Sequence, residues 1–415
     1  MGKMTRRQFL TRVGGCAGYL AASGMFSTLN SGFAWAASSC TNNRKVLVHL
    51  FLDGGLDSAS LLIPRNVNAY FDKRPNIGIA NPIALNANFG LHPALVNVAG
   101  MINGGGGAVI NKVGYPRPNR SHEESKLIYS RAIRSTGASI NTGWAGRFGD
   151  TYCVGKNNIA SLFSFRGAVE DLRANQFVPT TSGSLQSYGY TNDNVSANDS
   201  RFRRYAIRDN RILQPGQNDQ QTLVNNSWGV IDNSVATIAQ VNSSYTSPIT
   251  YANDGLSQRF RDAAKLIKHP DANPSVILLS QGGFDTHGDE LTSLQNLFTN
   301  LDRAVGAFFN DLTNMGRAQD VQLHVYTEFG RNTFENSTEG TDHGHGTCAL
   351  VLGGTVNAGV HGPAYEENDF ANLEFLPSVV DFREILSESI AEHLGVDPTP
   401  IFPEAFTRVG LNLIG

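Results

Sequence analysis

Apolar and polar positions along this chain fall into two alternating patterns. Short, nearly continuous apolar runs recur at KVLVHLFLDGG (45–55), GAVINKVG (107–114), SVILLSQGG (275–283), VQLHVY (321–326) and CALVLGG (348–354). Runs of this length without strict alternation predict strands buried on both faces, as in a parallel sheet. Between them the spacing becomes helical. From Asp289 onward, Leu291, Leu294, Leu297 or Phe298, Leu301, Val305, Phe308 and Leu312 share one face and predict a long amphipathic helix. A second helical stretch, VVDFREILSESIAEHLG, starts at Val379 and stops at Gly395. Strands alternating with helices predict an α/β domain with helices on both faces of a mostly parallel sheet.

The pattern thins from about Thr180 to Asn253, where Asn, Ser, Gln and Asp dominate. Aromatic and β-branched residues persist there, and 200–213 and 220–241 keep amphipathic spacing. This stretch therefore reads as a polar insert or cap over the sheet edge rather than as disorder.

The N-terminus follows a different logic. TRRQFL (5–10) places Arg6 and Arg7 ahead of Phe9 and Leu10; a mildly apolar Gly/Ala-rich segment and Ala34-Trp35-Ala36 follow. Charged, apolar and small-residue regions in that order predict an export signal, and the paired arginines mark the twin-arginine (Tat) route. Residues 1–36 are thus expected to be a signal cleaved after Ala36, with 37–415 as a single domain. The chain would meet the Tat translocon and end in the periplasm or outside the cell. Lipidation at Cys40 is a lesser alternative, because Ala-Ser-Ser before it matches a lipoprotein signal poorly.

Composition narrows the picture. The chain has 415 residues, 40% hydrophobic and 17% charged, with a net charge of -3 and a pI near 6.4. That charge excludes the basic footprint of a nucleic-acid binder, and no apolar run is long enough to span a membrane. Outside the signal, Cys40, Cys153 and Cys348 are too few and too scattered for a disulfide framework. A Cys40–Cys153 pair is one option, while Cys348 opens an apolar strand as a small core residue would.

Candidate chemistry gathers where the apolar runs end, the place where open α/β sheets hold ligands. The first run leads into Asp53-Gly54-Gly55-Leu56-Asp57, and the second towards Arg120-Ser121-His122-Glu123-Glu124. The third leads into Asp285-Thr286-His287, and the fourth into Glu328, Arg331, Asp342, His343 and His345. Carboxylates and imidazoles converging from separate strands suit a divalent ion such as zinc, manganese or iron. Each group also has a plainer explanation. Asp57 could close a turn, Asp285-Thr286-His287 could cap a helix, and His343 and His345 could bond to loop backbone. Glu328 and Arg331 could be an ion pair, or Arg331 could hold an anionic substrate. Ser121 and Glu124 form a capping box, yet a helix N-terminus also attracts anions, and Ser121 there could serve as a nucleophile.

The blocks GGLDSASLLIP (54–64), RSHEES (120–125), GGFDTHGD (282–289), TEFGRN (327–332), GTDHGHG (340–346) and DFREILSESIAEHLG (381–395) resemble an exported bacterial family called domain of unknown function 1501. That family is similar to the alkaline phosphatase/sulfatase superfamily. The resemblance implies a three-layer α/β/α sandwich and a metal site, expected to hold two ions, at the strand ends. By that resemblance Asp57, Asp285, His287, Glu328, Asp342, His343 and His345 are metal-ligand candidates. Ser121 and His122 are catalytic candidates, and Arg120 and Arg331 are candidates for holding the substrate. Two positions depart from the family pattern: Ser58 stands where glycine is usual and Glu123 where an aromatic is usual. The function expected is an exported metal-dependent hydrolase of phosphate or sulfate esters, acting on an anionic ester or glycan. Two alternatives are an inactive envelope or surface binding protein that uses the insert, and a phosphomutase or phosphotransferase.

Overall fold

Each of the five apolar runs becomes a strand of one nine-stranded sheet. These are β1 (Val46–Asp53), β5 (Gly107–Gly114), β8 (Val276–Gly282), β9 (Val321–Tyr326) and β10 (Thr347–Gly353). The remaining members are short: β6 (Leu162–Ser164), β7 (Thr180–Thr181), β11 (Gly359–His361) and β12 (Val380–Asp381). The order is β11-β5-β10-β9-β1-β8-β6-β7, with β12 also paired to β5. A separate small antiparallel sheet holds β2 (Leu62–Pro64), β3 (Ile83–Ala84) and β4 (Phe89–Leu91). The structure is a computed structural model that describes residues 40–41, 43–137, 139–156, 158–189 and 233–415. The expected signal, the anticipated helix at 200–213 and most of the insert lie outside the described residues. Of the helix expected at 220–241, residues 233–241 are described and are helical, and the helix runs on to 244.

The sheet is mostly parallel, as the continuous apolar runs predict. One strand departs: β10 runs antiparallel to both β9 and β5. Its direction follows from a return through the loop 327–346 rather than through a crossover helix, and an apolar run carries no signal of direction.

Side chains on β1 alternate between two cores. Val46, Val48, Leu50 and Leu52 join one cluster, and Leu47 and Phe51 the other, the period of two of a strand. The first cluster is closed by α1 (Val96–Asn103), α3 (Gly255–Lys268) and α4 (Glu290–Asn314). The second is closed by α2 (His122–Arg131) and α5 (Phe382–Glu388) with Trp144 and Phe148. The result is an α/β/α sandwich. The α4 stripe runs through Leu294, Phe298, Leu301, Val305, Phe308 and Leu312, all buried. Truncating a fully buried Phe such as Phe298 to Ala costs about 3–5 kcal/mol. The helix expected from Val379 is shorter than its periodicity indicates. The chain first adds β12 to the sheet edge, and α5 then loosens into a wider turn over 389–393. Gly395, at φ +70°, ends it.

Cys40 and Cys153 form a disulfide with Cα atoms 4.5 Å apart, and Cys348 is free and buried. Among the described residues no helix is long and apolar enough to cross a membrane.

Candidate metal centre

Three parallel strands, β8, β1 and β9, end side by side and deliver their loops to one place. Close approach of those loops requires glycine. At Gly54, where φ is +130°, a Cβ would collide with the backbone nitrogen of Asp285. At Gly344 a Cβ would strike the backbone of Arg331. The chain there folds back on itself, with Gly344 N–H donating to Gly330 O (2.8 Å) and Asn332 N–H to Asp342 O (2.9 Å). This places His343 opposite Arg331.

Four predicted residues meet at the centre. His343 Nε2 lies 3.0 Å from His122 Nε2, 3.1 Å from His287 Nε2 and 3.1 Å from Asp285 Oδ1. His287 Nε2 is also 3.1 Å from Asp285 Oδ1, and His122 Nε2 is 3.6 Å from Asp285 Oδ2. The ligand atoms of His122, Asp285 and His343 all lie within 4.8 Å of one another.

The opposite edge of each ring decides what those nitrogens carry. His122 Nδ1 faces Glu328 Oε1 at 2.8 Å, His287 Nδ1 faces Asp342 Oδ1 at 2.9 Å, and His343 Nδ1 faces the Arg120 carbonyl at 2.9 Å. Ionised carboxylates and carbonyls only accept, so each Nδ1 must donate. In the neutral rings the three Nε2 atoms are then bare lone pairs. Burial lowers the His343 pKa, which favours that neutral form. For Asp285, burial resists ionisation, but the hydrogen bond and charge of Arg331, joined by His343 and His287, bring it down to about 2. Lone pairs facing lone pairs and a carboxylate repel unless a cation lies among them. Nitrogens about 2.0–2.1 Å from a tetrahedral ion stand roughly 3.3 Å apart, close to the spacing here. The donor set fits a divalent ion.

Glu328 and Asp342 therefore stand behind the imidazoles rather than beside them. Glu328 is wholly buried and accepts from Gly54 N–H at 3.1 Å and Thr327 Oγ1 at 2.8 Å as well as from His122. Burial raises its pKa, yet those bonds, His122 foremost, hold it below the usual range. Such a carboxylate fixes ring tautomer and orientation.

The other predicted residues are placed elsewhere. Asp57 is 1% exposed, with both oxygens on Arg74 at 2.6 and 3.0 Å. Burial opposes its charge, and Arg74 overcomes that and lowers its pKa. The Asp57 charge is thus balanced by a guanidinium in the interior, and Asp57 is not among the ligand atoms that gather at the centre. Arg331 is not open to substrate either. Its guanidinium is buried and donates to the carbonyls of Gly55 (2.7 Å), Thr341 (2.8 Å), Phe284 (3.1 Å) and Gly54, and to Asp285 Oδ1 at 2.5 Å. It clamps the loops and tethers Asp285. His345 packs on Phe375, ring centroids 4.4 Å apart, and its imidazole has no contact with the cluster. Ser121 caps α2, accepting from Glu124 N–H at a long 3.5 Å, and is exposed. The reciprocal half of the capping box is missing, since Ser121 N–H donates to Asn119 Oδ1 instead. Arg120 is exposed, with its guanidinium 4.8 Å from the centre of the Phe375 ring.

Sequence reasoning missed Arg74, Lys126 and Glu290. Lys126 sits one helical turn after His122, bonded to Asp53 and 3.9 Å from Glu328, and that i, i+4 spacing was its available signal.

Solved structures to which the chain is similar include the following three. Ps i-CgsB, crystallised in complex with k-i-k-neocarrahexaose, has 11% identity over 89% of this chain and 76% of that one, with a TM-score of 0.41. A protein in the alkaline phosphatase superfamily from Vibrio parahaemolyticus has 11% identity over 99% and 81%, with a TM-score of 0.37. The lipoteichoic acid synthase LtaP from Listeria monocytogenes has 10% identity over 91% and 78%, with a TM-score of 0.37. No curated protein matches the sequence. Residues 267–408, which carry Asp285, His287, Glu328, Asp342 and His343, match the family described as Protein of unknown function (DUF1501), the family that the motifs resemble.

Proposed function

We propose that this protein is an exported, metal-dependent hydrolase of phosphate or sulfate esters, with one divalent ion, rather than the two expected from the sequence, held by His122, Asp285 and His343 and flanked by His287. His122 then serves as a ligand rather than as a catalytic group, and Asp57 and His345, engaged by Arg74 and Phe375, supply no second set. The observation that carries this is the meeting of three imidazole Nε2 atoms with the Asp285 carboxylate at the strand ends. Two imidazoles and one carboxylate leave coordination positions open, as catalytic rather than structural sites do, and they suit zinc, iron or manganese. Bound there, such an ion supplies Lewis acidity towards an ester oxygen and lowers the pKa of water.

The chain's own residues do the rest. Glu328, Asp342 and the Arg120 carbonyl keep the three rings in their ligating tautomer, and Arg331 holds Asp285 in place. The N-terminus of α2 lies at Ser121, the end of a helix that favours anions. The exposed guanidinium of Arg120 adds positive charge on the same rim and takes the substrate-holding role that the buried Arg331 does not have. Ser121 Oγ, held only by its long cap bond, is available as a nucleophile towards an ester positioned there. We assign residues 1–36 to a Tat signal and 37–415 to one domain that carries the polar insert in its sequence.

Turnover of 4-nitrophenyl phosphate and 4-nitrophenyl sulfate tests this. Wild type with zinc, manganese or iron restored should hydrolyse at least one ester, and Asp285→Asn should not. Equal rates in the two proteins would reject the reading.

A further inference from the structure

Two loops that carry the metal centre are joined beneath it on a single buried carboxyl. Glu290 opens α4 and is 1% exposed. Its Oε2 accepts from Thr286 Oγ1 at 2.8 Å and from Thr341 Oγ1 at 2.5 Å, and its Oε1 accepts from Ser60 Oγ at 3.4 Å. Thr286 lies between Asp285 and His287, and Thr341 immediately precedes Asp342 and His343. The same loops touch through backbone as well, Thr341 N–H to Thr286 O at 3.1 Å and Glu290 N–H to Glu339 O at 2.9 Å.

We propose that Glu290 is a positioning residue for the metal centre: through Thr286 and Thr341 its carboxyl pins the Asp285–His287 loop to the Asp342–His343 loop and sets the spacing of the donor atoms. The proposal rests on the metal-centre reading above. Three hydroxyls converging on one carboxyl define its orientation far better than an apolar packing contact would. The groups facing it are Asp57, Arg74 and Tyr70. Burial, then the Asp57 charge, raise the Glu290 pKa, with Arg74 opposing. A neutral carboxyl there still accepts both threonine hydroxyls and can donate its own proton towards Asp57. Glutamine keeps the same acceptor and replaces that donor with an amide N–H, whereas alanine removes both.

Zinc affinity of the metal-stripped full chain, measured by competition with a chromogenic chelator, tests this without depending on turnover. The variants are His343→Ala, Glu290→Gln, Glu290→Ala and the double variant Thr286→Val/Thr341→Val, with Phe298→Leu as a control for general loss of stability. His343→Ala should lose tight binding. The double valine variant should bind about 10-fold or more weakly, in the range seen for residues behind metal ligands, and more weakly than Phe298→Leu at matched thermal midpoint. Glu290→Gln should bind like wild type. Glu290→Ala should match the double valine variant, which stands in for it if the alanine variant does not fold. A double valine variant that binds zinc as wild type does, or no more weakly than Phe298→Leu, overturns the proposal while leaving the centre intact. His343→Ala binding like wild type overturns the metal centre first and the proposal with it.

Discussion

Asp285 and Asp57 follow the ends of neighbouring strands, β8 and β1, yet their surroundings differ in one decisive respect. Asp57 is sealed in the interior with Arg74 on both oxygens. Asp285, about half exposed, has one oxygen on Arg331 and also faces imidazole nitrogens. The Asp57 cluster is balanced by its own guanidinium; the Asp285 cluster is the one we propose takes a cation from outside. What separates the two carboxylates is thus whether an arginine takes both oxygens in the interior, as at Asp57, or only one at a half-exposed site, as at Asp285.

The comparison breaks most sharply by mutation. His343→Ala should abolish tight divalent-metal binding while the thermal midpoint of the metal-free protein moves little. Arg74→Met should do the reverse, because removing one partner of a buried pair costs about 3–5 kcal/mol; denaturant unfolding beside metal titration separates the two. If Arg74→Met left stability unchanged, the account of the Asp57 cluster would fail.

Glu328→Gln sharpens the contrast at smaller amplitude. It removes the carboxylate behind His122 and should weaken metal binding about 10–100-fold, measured by chelator competition.

The pH dependence of the buried cluster provides a third test. Burial and the Asp57 charge push the Glu290 pKa up from 4.5 to about 8. Between those values the unfolded chain releases this proton while the folded chain keeps it, so stability falls as pH rises across that window. Urea midpoints of Glu290→Gln and wild type at pH 5 and pH 8 should show this: the wild type loses stability between them through this group, and the variant lacks that component. The smallest effect is expected at the rim, where Arg120→Ala should raise the KM for an anionic ester several-fold and leave metal content unchanged.

Much of this architecture is legible in the sequence because burial on both faces of a strand leaves continuous apolar runs. All five runs are strands within about two residues of their expected limits, and the stripe from Leu294 to Leu312 is a helix. The direction of β10 was not legible, since it depends on where the 327–346 loop turns. In the centre, Asp285, His287 and His343 stand together, and His122 joins them by its ring nitrogen. Asp57 and Arg331 mislead for one reason: their partners are Arg74, seventeen residues away from Asp57, and backbone carbonyls, which sequence does not display. His345 shows that two histidines one residue apart in an irregular loop need not face the same way, as they would in a strand.

The central claim is that the Asp285 cluster needs an external cation, and elemental analysis of the purified protein tests it most directly. The full chain, exported by its own signal and purified without chelators, is compared with His122→Ala/His343→Ala. The account predicts close to one equivalent of zinc, manganese or iron per chain in wild type and a loss of that metal in the variant. No metal in wild type, or a full equivalent retained in the variant, would contradict it.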